Sequence, residues 1–244
     1  MSEQRTLLAI ETSGRSLGVA LRRESTILFE ENVSAGSIHG RALAPLTDKA
    51  LKTHGLKAAQ LSAIVVSLGP GSWTGLRIGL SFAKALAWGA GVPLIGVSSF
   101  EAMARHAGTI TPLSARLTLR DARSEGYFCA LFGETSGSPE RFMDDAVMKP
   151  AECLALADKV LQSRQGLVLS ICGDRVCLDG VAEHAGARGW KLLHECEHVP
   201  AWAVAECGWQ RFERGEMLQT PADIHKLAPL YLRASDPELK LIRK

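Results

Sequence analysis

The sequence has six cysteines but no C-x-x-C pair, and it has no long apolar run. Its closest cysteines, Cys172 and Cys177, leave four residues between them. That spacing argues against a zinc knuckle or disulfide framework and for reduced thiols. The uncharged, apolar run Ala85–Phe100 is broken by Gly89, Gly91, Pro93 and Gly96, which fits a helix end, a turn and a strand rather than a membrane span. At the N-terminus, "MSEQRTLLAIETS" offers only "LLAI", too short for a signal peptide, so a cytoplasmic location without membrane association is expected. Excess charge is missing too. A net charge of +2 over 244 residues, with pI ≈ 8.2, is not the Lys/Arg footprint of a dedicated nucleic-acid binder. Contact with RNA is open only as a shared surface.

Two nucleotide-binding signatures are also absent. "SLGPGSWTGLRIGLSFAKALAWG", residues 67–89, has the layout of a strand end, a Gly/Pro loop and a helix, which is how phosphate loops are built. A Walker A loop needs G-x-x-x-x-G-K-[ST], but Gly71 and Gly75 are four apart and are followed by Leu76 and Arg77. The dinucleotide pattern fails at Thr74, where its third glycine belongs. What the stretch does have is a ridge of small residues at four-residue spacing: Gly75, Gly79, Ala83 and Ala87. Leu76, Ile78, Leu80, Phe82 and Leu86 cover much of the rest, and Arg77, Ser81, Lys84 and Trp88 form a polar stripe. Such a ridge permits close approach of another helix. The helix is either buried inside its own chain or part of a protein interface.

Apolar runs and breakers predict strand-strand-strand-helix-strand-helix twice. "TLLAIETS", "SLGVALRR" and "STILFEEN" read as strands, followed by a helix within Ile38–His54 that Pro45 should kink. The second half runs through "ARLTLRDAR", "YFCALFGE" and "RFMDDAVM" to the helix "AECLALADKVLQSR". Glu11 and Asp121 end equivalent strands, and each is followed at the same separation by Ala-Leu (Ala20-Leu21, Ala130-Leu131). The expected fold is therefore α/β: two related subdomains, each a mixed sheet with flanking helices, facing each other across a cleft. The boundary is expected near Gly108 and Pro112, giving 1–107 and 108–244, with the final segment open.

Three chemistries compete. "HECEH", His194–His198, is a literal zincin H-E-x-x-H, but an apparent strand precedes it and Pro200 follows, so no continuous helix presents both histidines. Glu11 and Asp121 could face the cleft of an ATPase or carbamoyl-transfer enzyme, with Thr12 and Ser13 as phosphate contacts. Against that, Asp121-Ala122-Arg123 lacks the glycine that lets backbone approach phosphate. The bland alternative makes both acids satisfied strand-end groups.

"LLAIETS", the long glycine-rich stretch, "PLIGVSSFEAMA", "DARSEGYFCALF" and "PLYLR" together resemble the TsaB (YeaZ) family, in order and spacing, across nearly the whole chain. The resemblance implies an actin-like ATPase (ribonuclease H-like) fold. It implies a non-catalytic scaffold or activator subunit in making threonylcarbamoyladenosine beside the anticodon of tRNAs. The implied partners are the catalytic paralogue TsaD and the ATPase TsaE, with ATP and metal held by partner subunits and none bound here. The paralogue binds metal through G-V-x-H-x-x-x-H; the matching "GVSSFEAM" places Ser99 and Met103 at the histidine positions, poor replacements for imidazole. The family pairs through its first two long helices. That carries the expected interface to Leu43 and Leu46 of the first helix and to Gly75, Leu76, Gly79, Leu80, Phe82, Ala83, Leu86 and Ala87 of the second. A homodimer is expected when the partner is missing.

Overall fold

The computed structural model describes residues 4–34, 39–108, 114–134, 139–164 and 166–232. Ile38, the expected boundary residue Pro112 and Arg233 of "PLYLR" lie outside them. Compactness divides the chain into Met1–Ala102 with Val199–Leu230, and Met103–His198 with Tyr231–Lys244. Where the sequence suggests two continuous halves, residues 199–230 thus return to the first unit.

In the first unit, β1 (Thr6–Glu11), β2 (Ser16–Arg23) and β3 (Thr26–Ser34) form an antiparallel meander. α1 (His39–Thr53) leads to β4 (Ala63–Ser67), α2 (Trp73–Ala90) to β5 (Leu94–Val97), and α3 (Ser99–His106) follows. β4 and β5 add parallel to β1, so the sheet order is β3-β2-β1-β4-β5. One face packs Leu8, Ile10, Ile64 and Val66 against Leu43 and Leu46 of α1 and Leu80 and Ala83 of α2. Pro45 lies inside α1 without ending it.

The second unit repeats the order. β6 (Ser114–Asp121), β7 (Tyr127–Glu134) and β8 (Pro139–Met148) are antiparallel neighbours, then come α4 (Pro150–Gln162), β9 (Val168–Gly173), α5 (Arg175–Arg188) and β10 (Lys191–Leu193). Its sheet order, β8-β7-β6-β9-β10, mirrors the first element for element. The expected pair of mixed sheets with flanking helices is borne out. The Ala-Leu match is not part of that equivalence. Ala20 stands opposite Ala9, two residues before Glu11, whereas Ala130 stands opposite Thr118, three before Asp121.

α6 (Ala201–Glu213) covers the other face of the first sheet, meeting β1, β2, β4 and β5, and α7 (Pro221–Lys226) ends the described helices. Gly208 sits so close to Val65 that no side chain would fit between them. The first residue of α6 follows Pro200, which caps nothing. Its orphan donors are satisfied from β3 instead: Ala201 N–H donates to Asn32 Oδ1 (3.1 Å) and Trp202 N–H to Glu30 Oε1 (3.1 Å). All six cysteines are free and buried. Burial pushes the Cys196 thiol up to about 11 and raises Cys172 and Cys177 as well, which keeps them protonated and inert.

Candidate functional site

Two places could carry function: the strand ends bearing Glu11 and Asp121, and the outer face of α2. At the first, Glu11 is 1% exposed and its Oε1 accepts both the backbone N–H and the hydroxyl of Ser13. Thr12 is wholly buried, with its hydroxyl against Gly79 of α2. Ser13 O in turn accepts the Ser72 N–H (2.7 Å), tying this turn to the start of α2. In the second unit, Asp121 Oδ1 accepts the Arg123 N–H (2.7 Å), and the Asp121 N–H donates to Asp174 Oδ2 (2.9 Å). Arg123 adopts a left-handed φ of 61°. Each acid therefore takes the N–H two residues ahead of it. In each turn a backbone donor of the kind a phosphate would use is held by the chain's own carboxylate. Glu11, Thr12 and Ser13 lie in the first unit and Asp121 in the second; each acid engages its own turn through one oxygen, while Thr12 Oγ1 and Glu11 Oε2 have no hydrogen-bond partner.

The metal readings are also placed. "HECEH" is a three-residue 3-10 turn, His194–Cys196, with Cys196 buried, and not the helix a zincin requires. Among the described residues no three His, Cys, Asp or Glu side chains cluster. Ser99 and Met103 are both fully buried. Ser98 Oγ accepts the Phe100 N–H (3.2 Å) at the head of α3.

α2 is well delimited. Ser72 Oγ accepts the Gly75 N–H at its start (3.2 Å), a cap worth about 1 kcal/mol. Gly91, left-handed at φ 67°, ends it. The small ridge faces inward. A Cβ on Gly75 would lie closer to the Thr12 carbonyl oxygen than the 3.0 Å that real Cβ atoms keep, and one on Gly79 would do the same to Thr12 Oγ1. Gly75, Leu76, Gly79, Leu80, Ala83 and Ala87 are buried in the unit's own core, as are Leu43 and Leu46 of α1. Of the ten expected interface residues, only Phe82 and Leu86 reach the surface, half-buried. They continue a second four-residue ridge from Ile78, also half-buried, which the sequence reading did not single out as a contact surface. Ala85 beside it is exposed and Trp88 is 72% exposed. Both ridges have the same period, so spacing could not separate them; bulk facing outward was the available signal. Lys84 on the other flank donates to the His225 carbonyl of α7 (2.7 Å).

A family model described as "TsaD: tRNA N6-adenosine threonylcarbamoyltransferase" matches residues 33–170. The "tRNA threonylcarbamoyladenosine biosynthesis protein TsaB" of Bacillus subtilis is 32% identical over 97% of this chain and 98% of that protein. The Haemophilus influenzae protein of the same name is 37% identical over 53% of this chain and 55% of its own length. The solved structure "YeaZ from Pseudomonas aeruginosa" superposes with a TM-score of 0.77 at 23% identity, covering 93% of this chain and all of that one, and so supports the fold. No described helix is long and apolar enough to cross a membrane. A relative that matches end to end, within the reach of the transferase family's model, places the chain in the TsaB family.

Proposed function

We propose that this chain is a non-catalytic subunit required for threonylcarbamoyl modification of tRNA, acting in the cytoplasm through a heterodimer with a TsaD-type paralogue. TsaE supplies ATPase activity to the assembly, and ATP and metal sit on the partner subunits. The observation that carries this reading is the outer face of α2, with its half-buried Ile78–Phe82–Leu86 ridge beside exposed Ala85 and Trp88. Bulky apolar side chains at four-residue spacing are what one helix offers another in ridge-into-groove packing. Their inner sides pack on the unit's own core, and what they leave at the surface adjoins exposed Ala85 and Trp88 as one apolar strip. The engaged acids Glu11 and Asp121 support the non-catalytic half of the proposal, because each holds the N–H two residues ahead of it in its own loop.

The interface residues are therefore Phe82 and Leu86, joined by Ile78, Ala85 and Trp88. The inward small ridge acts only by holding α2 in place. The same face supports self-pairing when the paralogue is missing. The test is co-elution of Ala85→Glu and Trp88→Glu with the paralogue in size-exclusion chromatography, followed by reconstituted tRNA modification. Both variants should fold with an unchanged melting temperature and lose the complex and the modification. Retention of both by folded variants would refute the assignment.

A further inference from the structure

We propose that the carboxyl end of the parallel strands in the first unit binds a monovalent hard cation, held by Glu11 Oε2 with the hydroxyls of Ser67 and Ser99. Glu11 is buried, its Oε1 is engaged by Ser13, and its Oε2 has no hydrogen-bond partner. It makes no ion pair among the described residues. Arg211, the α6 cation that reaches α3, is taken by Glu101 (2.7 Å) and the Gly96 carbonyl. A buried carboxylate without a counter-charge is expensive, so something must offset it.

The register shows what else lies there. Glu11 follows Ile10, which pairs with Val66, so Glu11 stands across from Ser67 one rung past the last paired residues of β1 and β4. Ile10 and Val66 face α1 and α2, and by alternation Glu11 and Ser67 share the opposite face. Ser99 comes to the same sheet end, because its N–H donates to Gly69 O (2.8 Å) while the Leu68 N–H donates to Val97 O (2.8 Å). The hydroxyls of Ser67 and Ser99 are wholly buried, and neither has a partner. Thr12 Oγ1 is also unpartnered, but it faces Gly79 on the other side of the sheet and is not part of the group.

The donor set fixes the class of ligand. Three oxygens with one negative charge suit a hard, singly charged ion and leave the site neutral. Mg²⁺ demands near-ideal octahedral geometry and would leave a buried positive charge. The site is coupled to α2, because the same carboxylate holds Ser13, whose carbonyl receives the N–H of the capping residue Ser72.

The test is thermal unfolding of the full chain in potassium, sodium and tetramethylammonium chloride at constant ionic strength. Binding to the native state raises the melting temperature with ligand concentration. A saturable rise in potassium or sodium, absent in tetramethylammonium, is expected. Ser67→Ala should shift the half-saturating concentration upward by about tenfold, the effect of losing one charge-assisted contact. Glu11→Gln should abolish the dependence. Equal melting temperatures in the three salts, or an undiminished response in Glu11→Gln, would overturn the proposal. The wild-type comparison decides even where Glu11→Gln does not fold, and no outcome bears on partner binding.

Discussion

Alanine at Gly75, Gly79 and Gly89 distinguishes an inward-facing ridge from one that waits for a partner. At Gly75 the new methyl would press on the Thr12 carbonyl oxygen, a backbone atom that no rotamer change can move. The helix or the turn after β1 must shift by about 1 Å in a densely packed interior, and such overpacking costs about 1–3 kcal/mol. The helix-propensity gain of replacing glycine is about 1 kcal/mol at most and smaller in the first turn, so the net loss should be about 1–2 kcal/mol. At Gly79 the nearest atom is Thr12 Oγ1, which can swing away and has no hydrogen bond to lose, although Thr12 Cβ and Cγ2 at 3.2 Å still crowd the methyl. That variant should fall within about 1 kcal/mol of wild type. Gly89 is exposed with nothing within 4 Å, so alanine there should stabilise by about 0.5–1 kcal/mol. Urea denaturation of the isolated chain measures all three. The expected order of stability is Gly89→Ala, wild type, Gly79→Ala, Gly75→Ala. A Gly75→Ala protein as stable as wild type would refute the inward packing and return the small ridge to the partner.

Asn32→Ala removes the cap that β3 provides to α6 and should cost about 1 kcal/mol in urea melts. Combined with Glu30→Ala, which also loses the Trp202 N–H and the Asn32 amide, the loss should be non-additive. The raised thiols fix a pH dependence: stability they contribute is present below the unfolded value near 9 and is lost as pH rises through the folded value, about 11 for Cys196. Denaturation midpoints should therefore fall between pH 9 and 11, and a flat profile would count against buried thiols. Native protein at pH 8 should react slowly with a thiol reagent and release all six thiols on unfolding. The isolated chain should turn over no ATP with or without magnesium; robust turnover abolished by Glu11→Ala would overturn the subunit reading.

The sequence exposed the repeat because strand runs and breakers are local signals, and "AIVVS" or "LTLRD" can hardly be read otherwise. It exposed the failure of the phosphate-loop templates for the same reason. It could not orient α2. Small and bulky ridges share a period of four, and the choice between them is made by Thr12, sixty-odd residues earlier in the chain. Nor could it place α6 against the first sheet. Its partners Asn32, Glu30 and Val65 lie more than a hundred residues away, and only tertiary contact reveals them. The short helix α7 rests on Thr220 and Pro221 as cap and first residue, a weak signal in a polar segment.

The two strand ends show how the two units of a repeated fold can carry an acid at the same place and engage it differently. In both units the acid accepts the N–H two residues on, so the turn is held shut by the group that elsewhere would face a ligand. In the second unit the closure goes further: Asp174 takes the Asp121 N–H, and Arg123, 3.8 Å from the Asp121 carboxylate, screens its charge. In the first unit it is incomplete, because Glu11 is buried with one oxygen unengaged and makes no ion pair among the described residues. The units therefore diverge in electrostatics while agreeing in topology. Replacing the acid should have unequal consequences: Asp121→Asn keeps an acceptor for Arg123 and should be nearly neutral, whereas Glu11→Gln alters a buried charge and should change both stability and its salt dependence. Equal responses of the two variants in the same salt series would mean that the asymmetry at the strand ends has no energetic weight.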